Sequence, residues 1–298
     1  MSRCVSVVIA AYNRESMVQD AIRSALAQDP VLREIIVVDD GSTDGTADAA
    51  RALARTDPRV TVVTQPQAGP SAARNQGCRL ASSEWVFFLD SDDLVAADAL
   101  PDLVHAVPHP TGIEVPYGTQ EILGAPPDLQ VYSTARLETR SGDLFNSLVV
   151  SYQSTIFNGL FPRRLIESIH GFDESIRYYE DNDFALRIAH TARFIAVPRV
   201  VYRARMHGDN RHRSFPDLAR DQRIRFIERA IALRPASPAR EILRRRAVAN
   251  VWWSFAARRL LDGRPAEARF ATLQALALCP WKLGAWRILA QSFRRPGP

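Results

Sequence analysis

Apolar and polar positions switch between two periods along the first 90 residues. Val5-Ser6-Val7-Val8-Ile9-Ala10-Ala11 is a nearly unbroken apolar run rich in β-branched residues, which predicts a buried strand. From Met17 to Ala27, Val18, Ala21, Ile22, Ala25 and Leu26 fall on one face of a helix. Glu34-Ile35-Ile36-Val37-Val38 predicts a second strand ending at Asp39-Asp40-Gly41-Ser42. A helix from Thr43 to Ala54 follows, with Ser42, Thr43 and Asp44 as candidate caps. Val60–Val63 is a third strand, Ser71–Leu80 a third helix and Trp85–Leu89 a fourth strand. Strands alternating with helices of about ten residues imply a parallel sheet with right-handed crossovers, a Rossmann-like nucleotide-binding half.

The pattern then weakens. Prolines at 101, 108, 110, 116, 126 and 127 cut residues 95–152 into short pieces. Beyond them, Ile156–Phe161 reads as a strand, Arg163–Ser168 as a short helix and Tyr178–Ala189 as an amphipathic helix, followed by strands at Phe194–Val197 and Val200–Arg203. After Phe215 the chain is helical almost to its end, with breaks near Pro235–Pro238, Gly263–Pro265 and Pro280.

Composition divides this chain in two. Residues 1–210 carry 19 Arg against 27 Asp and Glu, a balance of −8, whereas 211–298 carry 18 Arg and one Lys against six acids, a balance of +13. The asymmetry predicts two parts with different jobs, 1–212 and a basic helical extension over 213–298. Lys282 is the single lysine, a bias that a GC-rich genome explains. A hydrophobic content of 46% with 24% charged residues is that of a soluble globular protein. No apolar run reaches the ~18 residues of a membrane span, and Arg3 and Cys4 lead straight into a strand without a signal-peptide pattern. Cys4, Cys78 and Cys279 form neither a disulfide framework nor a metal spacing, so a cytoplasmic location is expected.

Candidate chemistry gathers where strands end. Trp85-Val86-Phe87-Phe88-Leu89 runs directly into Asp90-Ser91-Asp92-Asp93. An Asp-x-Asp at the carboxyl edge of a parallel sheet puts hard oxygen ligands where such sheets bind their ligands. Those oxygens suit Mg2+ or Mn2+, which bridge phosphates. The competing reading is a solvated acidic turn. Asp39 and Asp40 end the neighbouring strand, where a carboxylate can accept the imide N–H of uracil or, alternatively, cap the next helix. No Gly-x-Gly-x-x-Gly follows the first strand and no Walker lysine is present, which argues against dinucleotide and P-loop chemistry.

Five segments, in order, resemble the family 2 glycosyltransferases, inverting enzymes with the GT-A fold. They are Val5–Asn13, Ile35–Thr46, Gly69-Pro70-Ser71-Ala72-Ala73-Arg74-Asn75-Gln76-Gly77, Phe87–Asp93, and the pair Gly171-Phe172-Asp173-Glu174 with Glu180-Asp181-Asn182-Asp183. The resemblance spans roughly residues 4–210 and implies a mostly parallel, mixed sheet. It implies that Ala11, Tyr12, Asn13, Asp40, Arg74, Asp90 and Ser91 bind the nucleotide. By the same resemblance Asp92, with Asp90 and His207, holds Mn2+ or Mg2+, and His212 is the weaker alternative to His207. Asp93 holds the loop or caps the next helix. The base is Asp181, which takes the acceptor's proton, while Glu180 and Asp183 line the acceptor side and Arg187 is placed to pair with Asp183. One base and one metal suffice for a single inverting displacement, unlike the paired carboxylates of glycoside hydrolases.

The implied reaction moves a sugar from a nucleotide-sugar donor, with UDP favoured, to a hydroxyl of a glycan or lipid-linked acceptor in polysaccharide biosynthesis. In the extension, Trp252, Trp253, Trp281 and Trp286 lie among arginines. That fits an anionic membrane surface, peripheral on the inner face of the cytoplasmic membrane, or a helical bundle or homodimer interface. Nucleic acid is not an expected partner. Two rivals remain. A sugar-nucleotide nucleotidyltransferase would need a glycine-rich first loop with a lysine; a catalytically silent binding module would lack metal-dependent turnover.

Overall fold

The computed structural model describes residues 4–124, 140–150, 157–206 and 217–293. The chain forms two compact units, Met1–Leu144 with Gln153–Ser175 and Arg187–Asn210, and Phe145–Tyr152 with Ile176–Leu186 and Arg211–Pro298.

The first unit opens as the apolar runs predict: β1 (Val5–Ala11), α1 (Val18–Leu26), β2 (Leu32–Asp39), α2 (Thr46–Ala54), β3 (Val60–Thr64), α3 (Pro70–Leu80) and β4 (Trp85–Asp90). These strands stand in the order β3-β2-β1-β4 and are parallel. A short antiparallel strand, β7 (Leu160–Pro162), closes the β4 side. The sheet is therefore mixed and mostly parallel. On one face Val5, Val7 and Ile9 of β1, Ile35 and Val37 of β2 and Phe87 and Leu89 of β4 pack with Val18, Ala21, Ile22 and Ala25 of α1. Burying each of the Val, Ile, Leu and Phe side chains favours folding by about 1.5–3 kcal/mol. On the other face Gly77 lets α3 approach β1, since a Cβ there would meet Val8 Cγ1 at 2.3 Å.

Between β4 and β7 the structure corrects the weak sequence signal. Two short elements, β5 (Leu94–Val95) and α4 (Ala99–His105), precede a ten-residue strand, β6 (Glu114–Leu123). Pro101 sits in the first turn of α4, where its missing N–H costs no helical hydrogen bond. Pro116 is tolerated because β6 lies at an edge of its three-stranded sheet. Helix α5 (Phe145–Val150) belongs to the second unit, and α6 (Arg163–Ser168) follows β7.

The two strands expected at 194–203 are one continuous β8 (Arg193–Arg205), paired with β6 in parallel and with β5 antiparallel. Pro198 breaks the pairing without ending the strand. Register runs from Tyr117↔Ala196 to Thr119↔Val200, so Val197, Pro198 and Arg199 bulge opposite Gly118. A Cβ on Gly118 would lie 2.6 Å from the Arg199 carbonyl oxygen.

Helix α7 (Glu180–Ile188) starts in the second unit, which continues as α8 (Asp217–Ala232), α9 (Pro238–Leu261), α10 (Pro265–Leu278) and α11 (Leu283–Gln291). The breaks fall where Pro and Gly predict them. Alanines dominate the packing of this unit: Ala256 and Ala271 share a buried cluster with Phe255 and Ile288, and Ala275 and Ala285 share another with Leu276. Trp252 and Trp253 pack against these clusters, while Trp281 and Trp286 are exposed. No described helix is long and apolar enough to cross a membrane.

Candidate active site

Register aligns the carboxyl ends of three strands. Ala11 stands beside Asp39 of β2, and Ala10 beside Asp90 of β4. Just past β4, carboxylate oxygens of Asp90, Asp92 and Asp93 lie within 4.8 Å of one another. Three carboxylates this close repel one another, and the surrounding residues answer each in a different way.

Asp90 Oδ1 accepts from Arg74 Nη2 at 2.8 Å. The Arg74 side chain is only 7% exposed. Its guanidinium lies 5.2 Å and 5.4 Å from the ring centroids of Phe157 and Phe172, a cation–π seat between two walls. Asp92 Oδ2 accepts from Arg14 Nε at 3.1 Å, with both side chains near one-fifth exposed. Asp93 is buried; its Oδ1 accepts from the Arg205 N–H at 2.7 Å, and the Tyr202 hydroxyl donates to it. The same Tyr202 oxygen accepts from the Asp90 N–H at 3.1 Å. Burial first, and then the Asp90 charge, pushes the Asp93 carboxyl up to about 8. Asp93 thus holds the loop, one of the two expectations for it. The oxygen-only donor set of Asp90 and Asp92 fits a hard divalent cation.

Arg205 completes the frame. Its Nε donates to the Asp92 carbonyl, its Nη1 to Asp20 Oδ2 at 3.0 Å and its Nη2 to the Met17 carbonyl at 3.2 Å, tying β8 to the acidic turn and to α1.

The loops after β1 and β2 are pinned together. Asn13 adopts a left-handed φ of 52°. Its N–H donates to Ser42 Oγ at 3.0 Å, and its Oδ1 accepts from the Thr43 N–H at 2.9 Å. Ala11 and Ser91 are buried, and Tyr12 is half-buried. Of the three candidate caps of α2, Asp44 takes the Thr46 N–H at 3.0 Å while Ser42 serves Asn13. Asp40 accepts from Gln65 Nε2, the Ala68 N–H and the Gly69 N–H, each at 2.8 Å, and so shapes the loop leading into α3. Asp39 is 2% exposed, and its Oδ1 accepts no hydrogen bond among the described residues.

Helix α7 carries the remaining carboxylates. Tyr179, at φ 62°, turns the chain into its first turn, where Glu180, Asp181 and Asp183 stand. Asp181 Oδ1 accepts from the Asn182 N–H at 2.9 Å and from its Nδ2 at 3.0 Å, and Asp183 is buried. Arg187 Nη1 donates to the carbonyls of Ile169 and Gly171 at 2.8 and 2.6 Å. His207 and His212 lie outside the described residues, as does 208–211.

Residues 6–122 match the family model for glycosyl transferase family 2. The chain is 33% identical to the succinoglycan biosynthesis protein ExoO of Rhizobium meliloti (strain 1021) over 190 residues, which is 59% of this chain and 53% of that protein. Over residues 6–122 the chain is a glycosyl transferase family 2 sequence. It spans about half the length of that relative (53%). Among solved structures, TarS 1–349 of S. aureus in complex with UDP-GlcNAc superposes with a TM-score of 0.72 at 20% identity, covering 97% of this chain and 88% of that one. A mannosyltransferase of Pyrobaculum calidifontis in complex with GDP-Man and Mn2+ gives 0.56 at 23% identity, covering 97% and 85%. These likenesses establish the GT-A fold.

Within this family 2 frame, sequence reasoning passed over four residues that shape the site. Arg14 follows the Tyr12-Asn13 pair directly, but an arginine at a helix entry carries no signal of its own. Arg205 lies two residues past the strand expected to end at Arg203, with nothing in the pattern to mark it. Tyr202 read as part of a strand. Asn75 joins two of the motifs: its Oδ1 accepts from the Phe172 N–H at 2.8 Å, and its Nδ2 donates to the Phe172 carbonyl at 3.0 Å and to Glu174 Oε1 at 2.9 Å. Gly171 must lack a Cβ here, both for its φ of +69° and because that atom would meet Asn75 Oδ1 at 2.4 Å.

Proposed function

We propose that the chain is an inverting glycosyltransferase that moves a sugar from a UDP-sugar to a hydroxyl of a glycan or lipid-linked acceptor. The observation that carries this reading is the Asp90–Asp92 pair at the carboxyl edge of β4, with Arg74 seated behind it, inside the stretch matched to the family. Uridine as the base is supported by the fold neighbour solved with UDP-GlcNAc, and glycan synthesis by the succinoglycan relative.

In this mechanism Asp92 and Asp90, with His207, would hold Mn2+ or Mg2+. The ion, when bound, supplies Lewis-acid stabilisation of the departing nucleoside diphosphate. The other steps belong to side chains. Asp40 keeps a lone pair for the base N–H while its oxygens hold the Gln65–Gly69 loop against the nucleotide. Ala11, Ser91 and the pinned Tyr12–Asn13 turn give the donor a close backbone surface. Arg74, fixed between two rings, orients Asp90 at no rotamer cost on binding. Asp181 takes the proton from the acceptor hydroxyl as that oxygen attacks the anomeric carbon opposite the leaving group, with Glu180 and Asp183 lining the acceptor side. Exposed Trp281, Leu283, Trp286 and Phe293, on a unit with a large arginine excess, support peripheral attachment to an anionic leaflet.

The test is the melting temperature of the purified protein with UDP, GDP and dTDP, each with and without Mn2+. Binding to the native state raises the melting temperature by mass action. A Mn2+-dependent rise with UDP that disappears in Asp92→Ala supports the reading. No rise with any nucleotide in a folded sample overturns it and favours a silent module.

A further inference from the structure

The two carboxylates of the Asp-x-Asp carry different arginines, and the difference is mechanical. Arg74 comes from inside α3, is 7% exposed and sits between the rings of Phe157 and Phe172. Moving it off Asp90 would empty an aromatic seat. Arg14 comes from the turn before α1, and its side chain is 21% exposed. Its backbone is secured separately, by the Arg14 N–H to Thr46 Oγ1 at 2.7 Å, and its Nη1 donates to the Asn13 carbonyl at 2.8 Å. Its guanidinium can therefore leave Asp92 without disturbing the loop.

We propose that Arg14 is a displaceable counter-cation of the donor site. It neutralises Asp92 before the metal arrives, is released from that carboxylate when the metal binds, and then engages the donor's diphosphate. The inference rests on the glycosyltransferase reading and deepens it by giving Arg14 a donor-binding role. The chemistry favours the exchange. A divalent cation and a guanidinium compete for the same carboxylate oxygen. A freed guanidinium held at the mouth of the β1 loop is suited to forked hydrogen bonding with phosphate oxygens. Arg205 keeps the acidic turn in place meanwhile, through the Asp92 carbonyl and Asp93, so the exchange needs no backbone movement.

The consequence is a pair of effects with opposite signs. In Arg14→Ala, Mn2+ alone should bind more tightly, by about three- to fivefold, because a partly exposed ion pair no longer competes. UDP in the presence of saturating Mn2+ should bind about tenfold more weakly, because a charge-assisted contact to the diphosphate is lost. Mn2+ affinity is read by electron paramagnetic resonance of the free ion, and UDP affinity by calorimetry. Arg51→Ala, which removes the same charge from the exposed Asp48 pair, should change neither. Unchanged or weaker Mn2+ binding in Arg14→Ala, or unweakened UDP binding, overturns the proposal while the wild-type protein still binds UDP with Mn2+. A wild-type protein that binds neither Mn2+ nor UDP overturns the glycosyltransferase reading itself.

Discussion

At the carboxyl edge of the sheet Arg74 is 7% exposed, bonded to Asp90 and wedged between two phenylalanines. In the helical unit Arg245 is 55% exposed and pairs with Glu241 one turn away, while Arg258 pairs with Asp262 at the same i,i+4 spacing. Both regions are built with arginine, yet in the first the charge is placed and in the second it is spread. A placed arginine has its geometry set by packing, so it can orient a carboxylate for chemistry. A spread one adds solubility, a general positive potential and little else. The helical unit holds exceptions: Arg259 is 9% exposed, lies over the Phe255 ring and pairs with Asp217, Asp262 and Glu267. The comparison is thus between kinds of environment, and mutations can separate them.

The largest effect is expected where the helical unit would break the contrast by contributing chemistry. Asp181 belongs to the second unit and the acidic turn to the first. Asp181→Asn keeps the side-chain volume and removes the base. Turnover of UDP-sugar should fall by roughly 10²–10⁴-fold with UDP affinity unchanged. Steady-state kinetics beside calorimetry check this. A loss of UDP affinity equal to the loss of turnover would instead make Asp181 a donor-side residue.

Next come the placed arginines. Arg74→Ala should destabilise the protein by about 1–3 kcal/mol in urea unfolding, a buried-pair cost reduced because Asp90 is partly open to solvent. Arg259→Ala should cost a similar amount, and Arg245→Ala should leave the transition where it is. Equal losses for all three would erase the distinction.

How these environments divide was only partly legible from the chain. Runs such as Val5–Ala11 and Trp85–Leu89 announce buried parallel strands because both faces are covered and alternation vanishes. Pro238, Gly263 and Pro265 announce helix ends for local reasons. Pro116 and Pro198 mislead, because an edge strand and a bulge tolerate what a central strand would not. The carboxylate motif was visible, since its order along the chain carries the family resemblance. Its arginines were another matter. Arg74 was readable as a candidate from its motif, but its burial depends on Phe157 and Phe172, more than 80 residues away. Arg14 and Arg205 owe their meaning to partners that only the folded register brings near.

A smaller effect concerns pH. Asp93 is buried beside Asp90, and its folded pKa lies well above that of an unfolded aspartate. Its contribution to stability is therefore full below the unfolded value, near 4, and is lost as pH rises through the folded one, near 8. In EDTA, urea midpoints should fall between pH 5 and pH 8.5, and Asp93→Asn should flatten that slope. A slope of the same size in the variant would assign it to other groups.

The smallest effect should come from the outward face of the helical unit. Trp281 is 69% and Leu283 74% exposed, whereas Trp252 and Trp253 pack against the cores of α9, α10 and α11. Removing an apolar group that is already in water forfeits little burial, so Trp281→Ser with Leu283→Ser should shift stability by no more than about 0.5 kcal/mol. Trp253→Ala, whose ring meets Lys282 Nζ at 4.3 Å and closes over Gly284, should cost several times more. The double variant is informative because its stability is expected to stay put while its binding to vesicles of anionic lipid weakens. Retained vesicle binding would leave the exposed side chains without that role and return the helical unit to packing alone. A large loss of stability would mean that these side chains are covered in solution, as a contact between two copies of the chain would require.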